Sequence, residues 1–481
     1  MNNAPNGLSS DGVTNDGVNR RTVLKGAAGA SAALALAARQ HGEASAQSTP
    51  GATLAPVATP AMNTAASGEL RYQLVSSAAS EIQQTQAIID QYFAPLYPNI
   101  KVTVEPQPEN RDEQLVTSMI GGNAPDVFDT WRDDVARYAD VEQVLDISPL
   151  VARDFIPEAI SDYFEWQWAD FVLPSGVRFG LPKYVNLMAI WYNKDLFEQN
   201  GITPPDDTWD HARYAEVAQL LTLREGENVQ RWGMFFPGYG LDRWSYKLTA
   251  FGGSLVDPAD NTVAVFDSEQ AMAATQWIYD RTFVDGTNAE FGLLFSGGTG
   301  GVANTTNAFG QGRLAMVEDG FYPFAIAEQV RATGSTFRWG FAPVPAGPAG
   351  RHVLGTADGF AIWAGTPNQE AAWELVKFLS GPQFQLESTK ITGYLPCRYS
   401  LLDSWIEVCT TAYPELADAN LEMARTAMDL GYPRNRALFS RDIQAQITIS
   451  AGLDAVLLTG EEEPSYLAGI AADVTAEQQS S

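Results

Sequence analysis

Histidine and cysteine are nearly missing from this chain, at three and two among 481 residues. His41 lies in a segment read below as removed, which leaves His211 and His352. Two histidines cannot build a histidine-rich metal centre, and neither a metal nor another cofactor is expected. Cys397 and Cys409 are too few for a disulfide framework; a bridge across their short loop and a pair of free thiols both stay open. Positive charge is scarce as well: 30 Lys and Arg stand against 58 Asp and Glu, a formal charge of −28. That balance keeps a protein in solution and argues against nucleic acid, which needs a basic face. No apolar run approaches the roughly 20 residues that span a bilayer. No internal repeat is found.

The chain is longer than one compact core fills, so two domains are expected. Hydrophobic residues make up 45% and aromatics 11%, a globular composition. At the start, "NRRTVLKGAAGASAALALAARQ" sets Arg20 and Arg21 before an uncharged stretch from Gly26 to Ala38. Ala44-Ser45-Ala46 then offers a small-residue cleavage site before Gln47. A charged start, a modest apolar middle and such a site mark an export signal over residues 1–46. The arginine pair followed by Leu24 and Lys25 resembles the twin-arginine signal, from which Asn19 and Val23 depart. Whether the signal is cleaved or kept as an anchor stays open. No cysteine follows the apolar stretch, so a lipid anchor is unsupported. Residues 47–69, rich in Ala, Thr, Pro and Ser, read as a disordered linker.

Beyond the linker the pattern alternates. "ELRYQLVS" is a strand with Leu70, Tyr72 and Leu74 on one face. "SEIQQTQAIIDQYF" is a helix with Ser80 at its N-cap. "IKVTVEP", the helix "DEQLVTSMIGG" and the strand "APDVFDTW" complete a βαβ pattern, which implies a parallel sheet under covering helices. The alternation resumes with the strand "MAIWYN", the helix "TWDHARYAEVAQLLT" and a strand "RWGMFFPG". Helices over "SEQAMAATQWIYDRTF" and "YPFAIAEQVRATG", the extended "FRWGFAPVP", the strand "GFAIWAG" and the helix "NQEAAWELVKFLSG" follow. From about Leu401 the chain is mainly helical.

Four stretches in this order, "GGNAPDVFDTWRDDVARYADVEQVLDISPLV", "GLPKYVNLMAIWYNKDLFEQNGITPPDDTWD", "GRLAMVEDGFYPF" and "APVPAGPAGRHVLGTADGFAIWAGTPNQEAAWELVKFLSGPQFQ", resemble the extracellular solute-binding proteins of ABC importers. The likeness is to the sugar-binding group that includes maltodextrin-binding protein, and it covers nearly the whole mature chain. It implies an α/β fold of the type II periplasmic-binding-protein kind: two discontinuous lobes joined by a hinge. Lobe 1 would hold residues 70–185 and 358–400, and lobe 2 residues 186–357 and 401–475. The first crossing would fall in "NLMAIWYN", apolar on both faces because it starts a buried sheet. The return would fall near "GTADGF", where Gly355 and Gly359 could absorb the rotation of closure.

Ligands of open α/β sheets sit past the carboxyl ends of strands. Sugars present C–H faces to aromatic rings and hydroxyls to planar polar groups. From lobe 1 the candidates are Trp131 as a platform with Arg132 and Asp133 as hydroxyl partners, matching a family loop that carries aromatic and acidic contacts. At the hinge they are Lys183, Tyr184 and Asn186, where the family often has an acid. From lobe 2 they are Tyr239, Trp244, Tyr322 and Phe439, with Asp358 at the return crossing. Tyr163, Trp166 and Trp168, at near-helical spacing, read as core. The first-strand loop "SSAASE" lacks the tryptophan common in the family.

The resemblance implies a monomer outside the cytoplasmic membrane, in the periplasm or on the membrane's outer face. It would trap a carbohydrate and pass it unaltered to a membrane permease. Two alternatives are an exported carbohydrate-active enzyme, for which no opposed carboxylates are seen, and a binder of glycerol phosphates or polyols.

Overall fold

The computed structural model describes residues 58–480 except 132–134, 136–137, 140, 174, 227, 296–301, 434–438 and 441. The export signal, its arginine pair and the first part of the linker lie outside the described residues. The end of the linker does not behave as a free tail. The amide of Ala61 donates to the Asp154 carbonyl at 2.9 Å. Asn63 donates from its backbone to Glu374 at 3.1 Å and from its side chain to Glu370 at 3.0 Å. Few apolar groups are needed to hold a strap whose polar groups find partners at Asp154 and on the helix that carries Glu370 and Glu374.

β1 (Gly68–Leu74) buries Leu70, Tyr72 and Leu74, as its alternation requires. It pairs in parallel with β2 (Ile100–Pro106) and β3 (Val127–Trp131). The crossovers carry α1 (Ala79–Ile88) and α2 (Arg111–Ile120). Ser80 is not the cap of α1: Ala78 holds that place and makes no side-chain cap bond. After the short helix α3 (Glu165–Asp170) comes β4 (Gly180–Asn193), fourteen residues long and largely buried.

The next region holds α4 (His211–Leu221), the hairpin β5 (Leu223–Glu225) and β6 (Asn228–Arg231), α5 (Leu241–Phe251), and the hairpin β7 (Val256–Asp257) and β8 (Asp260–Ala264). "RWGMFFPG" is not a regular strand beyond Arg231, though Trp232 and Met234 bridge to Leu314 and Asn288 and backbone bonds from Trp232 to Phe235 run along Arg313–Glu318. β9 (Met316–Gly320), β10 (Trp339–Ala342) and β11 (Val353–Ile362) follow. Then come α6 (Gln369–Leu379), α7 (Pro382–Thr392), β12 (Leu395–Pro396), α8 (Met423–Asp429) and β13 (Gly431–Pro433).

One nine-stranded sheet runs in the order β10-β4-β11-β3-β1-β2, with β9 and β12 also on β4 and β13 on β11. β4 changes neighbours along its length. From Gly180 to Leu187 it pairs antiparallel with β11, and from Met188 to Tyr192 with β9. Its start, at Leu181, belongs to one core, and Val185 and Leu187 onward to Tyr192 belong to another. One core gathers Tyr72, Val127, Leu181, Phe360 and Trp373, with a smaller cluster around Phe128 and Tyr138 on the sheet's other face. The second core gathers Leu187, Trp191, Tyr214, Trp244 and Phe341.

Gly355 and Gly359, expected at the return crossing, have a steric reason to be glycine. Both are paired in register within the sheet. A Cβ on Gly355 would lie 2.4 Å from the Trp166 ring, and one on Gly359 would lie 2.2 Å from Phe171. These glycines let two aromatic rings lie flat against the back of the crossing strands. Trp166 packs against the core, as expected, and also donates its indole N–H to the Met428 carbonyl at 3.0 Å, which joins α3 to α8. Tyr163 is buried and Trp168 packs beside it, ring centroids 4.8 Å apart. Cys397 and Cys409 are separate buried free thiols.

Candidate functional site

The front face of the crossing strands collects the polar and aromatic side chains. Asp358 on β11 lies between Trp131 of β3 and Tyr184 of β4 in register. Two residues on, Thr356 stands opposite Asn186. With a side-chain period of two, Trp131, Asp358, Tyr184, Thr356 and Asn186 share one face.

A bulge adds one more group to this face. Pairing passes from Asp358–Tyr184 directly to Gly359–Pro182, leaving Lys183 as the extra residue. Such an insertion re-aims a side chain. Here the Lys183 ammonium reaches Asp129 Oδ2 at 2.6 Å. Asp129 is 3% exposed and also accepts from the Tyr72 hydroxyl at 2.7 Å and the Val75 amide at 2.8 Å. The Lys183 charge is therefore matched inside the protein, and its part is to hold Asp129 rather than to meet a guest as a free cation. On the same strand as Asp129, Trp131 is half-buried, and the Arg111 guanidinium sits 4.9 Å from its ring centre. Arg132 and Asp133 lie outside the described residues.

Tyr184 packs on Tyr394, ring centroids 4.6 Å apart and tilted by 42°. Burial pushes its phenol well above the ordinary range, reinforced by Asp358. Beside this pair opens a small hollow, bordered by Glu81, Thr85, Ser388, Thr392 and the two tyrosines. It lies past the carboxyl end of β1, between α1 and α7, where a parallel sheet places its ligands. Its lining mixes hydroxyls, the Glu81 carboxylate and the Lys183 ammonium with the apolar side chains of Leu74, Val75, Phe384 and Ile391.

Across the crossing, the Asn186 side-chain amide donates to the Tyr322 hydroxyl at 2.9 Å, and its oxygen accepts from the Phe321 amide at 3.2 Å. Tyr322 is edge-on to Trp191 at 6.0 Å, and burial raises its phenol, with Asp319 adding to the effect. Tyr239 is half-buried, edge-on to Phe291 at 5.3 Å. Arg243 and Asp319 stand close enough to both tyrosines to act on their titration.

Two expected platforms are not on this face. Trp244 is wholly buried, its indole N–H donating to Thr275 at 3.0 Å and its ring edge-on to Phe266. The side chain next to it, Arg243, is the one that stands beside Tyr239 and Tyr322. Phe439 is 8% exposed within the second core, and the backbone beside it at Ser440 bonds to Asn261. Sequence reasoning missed Asp129, Arg243, Asp319 and Tyr394. Asp129 was within reach, two residues before Trp131 on a strand of period two. Nothing local to Tyr394 marks it, since it arrives from about 210 positions beyond Tyr184.

Among the described residues no cluster of three or more His, Cys, Asp and Glu is placed to hold a metal ion. No helix among them is long and apolar enough to cross a membrane.

Comparison with known proteins adds three findings. The family described as "Bacterial extracellular solute-binding protein" matches residues 78–386. A putative binding protein of Brucella abortus is 28% identical over 260 residues, spanning 50% of this chain and 59% of that protein's length. Among solved structures, an ABC substrate-binding protein of Listeria monocytogenes in complex with cycloalternan superposes with a TM-score of 0.68 at 20% identity, over 85% of this chain and 98% of that one. A Streptomyces glaucescens receptor, solved unliganded and with acarbose, gives 0.66 at 24%, over 86% and 98%. At such identities the likeness establishes the fold, a mixed α/β architecture of two lobes.

Proposed function

Given that the chain belongs to the bacterial extracellular solute-binding proteins, we propose that it traps a neutral sugar or short oligosaccharide between its lobes and releases it unaltered to an ABC permease. One observation carries this reading: a single face of the crossing strands runs from Trp131 through Asp358, Tyr184 and Asn186 to Tyr322. It offers rings for C–H faces, and planar amide and carboxylate groups for hydroxyls, on both sides of the crossing. The sugars in the two structural neighbours support the same class of guest.

Lobe 1 is assigned residues 70–185 and 358–400, and lobe 2 residues 186–357 and 401–475. The pivot is placed where β4 leaves β11 for β9, between Leu187 and Met188. Closure there would bury the guest while the rings of Trp166 and Phe171 slide against the back of the strands. The protein acts outside the cytoplasmic membrane, exported by residues 1–46, and works as a monomer without a cofactor.

Asp129, the most enclosed carboxylate of this face, is taken up by three donors from the protein itself. Titration calorimetry with mono-, di- and oligosaccharides, polyols and glycerol phosphates, with product analysis of each mixture, tests the proposal. Saturable binding of a neutral sugar recovered intact is expected. A cleaved sugar, or preference for a glycerol phosphate, refutes it. X-ray scattering should show a smaller radius of gyration with the guest than without.

A further inference from the structure

We infer that Arg243 and Asp319 form the second lobe's hydroxyl-reading pair, one donating to and the other accepting from neighbouring hydroxyls of the guest, and that they bar anionic solutes. The inference rests on the sugar-binding reading and names residues that the sequence did not single out.

Arg243 stands in the first turn of α5, whose N-cap Gly240 directly follows Tyr239. Its Nη2 donates to Asp319 Oδ1 at 2.7 Å and its Nη1 to Asp242 Oδ2 at 3.2 Å. A guanidinium has five N–H donors; two are spent on these carboxylates, Nε is enclosed by the protein, and the side chain keeps 21% exposure. Its surroundings are those of the cleft: the Tyr322 hydroxyl accepts from Asn186, keeps its own proton to donate, and lies beside Arg243 and Asp319.

The pair is held rigidly. One residue along the helix, Trp244 is anchored in the core through Thr275. One turn along, Lys247 grips Glu318, the neighbour of Asp319 on β9, at 2.7 and 3.0 Å. Asp319 Oδ1 also accepts the Gly320 amide at 2.8 Å. Side-chain exposure of 21% for Arg243 and 5% for Asp319 leaves little room for either to swing away. Preorganised donors and acceptors of this kind discriminate by geometry.

The charge balance sets the selectivity. One guanidinium faces two carboxylates, Asp242 and Asp319, and the Lys183 ammonium of the first lobe is matched by Asp129. A phosphate entering here would meet excess negative charge, whereas a neutral hydroxyl would meet a donor and an acceptor.

The test uses the mature protein with Arg243→Lys, Arg243→Gln and Asp319→Asn, titrated with the preferred neutral sugar, its epimers and its phosphate ester. Arg243→Lys keeps the ion pair and hence the fold, but loses the fork. It should weaken binding by about tenfold or more and narrow the ratio between epimers, with the ligand-free melting temperature unchanged. Arg243→Gln and Asp319→Asn should weaken binding further, and the wild type should reject the phosphate ester. Binding by Arg243→Lys and Arg243→Gln within twofold of wild type, at the same epimer ratio, overturns the inference while sparing the sugar-binding reading. Tighter binding of the phosphate ester than of its parent overturns the anion bar. A wild type that binds no neutral sugar overturns both.

Discussion

Replacing Lys247 by methionine should destabilise the second lobe far more than a typical core substitution. Lys247 and Glu318 are both wholly buried, with the ammonium 2.7 Å from Oε1 and 3.0 Å from Oε2. Nζ also donates to His211 Nε2 at 2.9 Å, and His211 Nδ1 lies 2.9 Å from the Ala346 carbonyl. Nδ1 must then carry the proton, which leaves Nε2 to accept. The Tyr246 hydroxyl donates to Glu318 at 2.9 Å, and the Phe236 ring centre lies 4.2 Å from the ammonium. Lys247→Met roughly keeps the volume but strands Glu318, with one phenol as its remaining donor. Removing one partner of a buried pair costs about 3–5 kcal/mol. For a cooperative unit of about 150–250 residues, at about 2–4 °C per kcal/mol, this lowers the melting temperature by roughly 6–20 °C.

Calorimetry of Lys247→Met, Glu318→Gln and the double variant measures it. The double variant carries no stranded charge and should cost less than the two single losses added together. A loss under about 1 kcal/mol for Lys247→Met, or strict additivity, would refute the reasoning. The same site fixes a pH dependence. Burial, and then the Lys247 charge, hold His211 well below its ordinary range. As pH falls through about 6.5 the unfolded chain takes up a proton that the folded chain refuses, so stability is full above that pH and drains away below it. Between pH 6.5 and 5 the loss should approach about 2 kcal/mol, and His211→Asn should flatten that slope.

Trp131→Ala should abolish most of the stabilisation of about 2.7 kcal/mol that a guest at 100 times its dissociation constant provides, without unfolding the free protein; a surviving thermal shift would remove Trp131 from the site. Gly355→Ala drives a methyl into the Trp166 ring and should cost about 1–3 kcal/mol by chemical denaturation; an unchanged midpoint would show that the ring moves freely. Both thiols should resist labelling until the protein unfolds, because burial pushes Cys397 up to about 12 and raises Cys409 as well; prompt modification at neutral pH would contradict this. Deleting residues 58–67 removes the bonds from Ala61 and Asn63 to Asp154, Glu370 and Glu374, and should lower stability by about 1–3 kcal/mol; a truncated protein as stable as the parent would make the strap incidental.

What the sequence carried on its own was local. The alternation of β1, the continuous burial of β4 and the amphipathic run of α6 follow from periodicities that a window of a dozen residues displays. The candidates at Trp131, Tyr184, Asn186, Tyr322 and Asp358 stand at strand ends or in the crossing strands, and the structure sets them on one face. The choice between Trp244 and Arg243 was beyond such reasoning. Which of two adjacent side chains is buried in the core depends on how α5 is rotated, and that is fixed by Thr275 and Glu318, which are 31 and 71 residues away from their helix partners.

Long-range pairing likewise decided that Lys183 holds Asp129 and that Tyr394 stacks on Tyr184. It also decided that two glycines make way for rings. A periodic pattern states which side of an element is apolar because burial follows area. It does not state which distant group completes a charge or a ring, since that partner is chosen only once the chain has closed on itself.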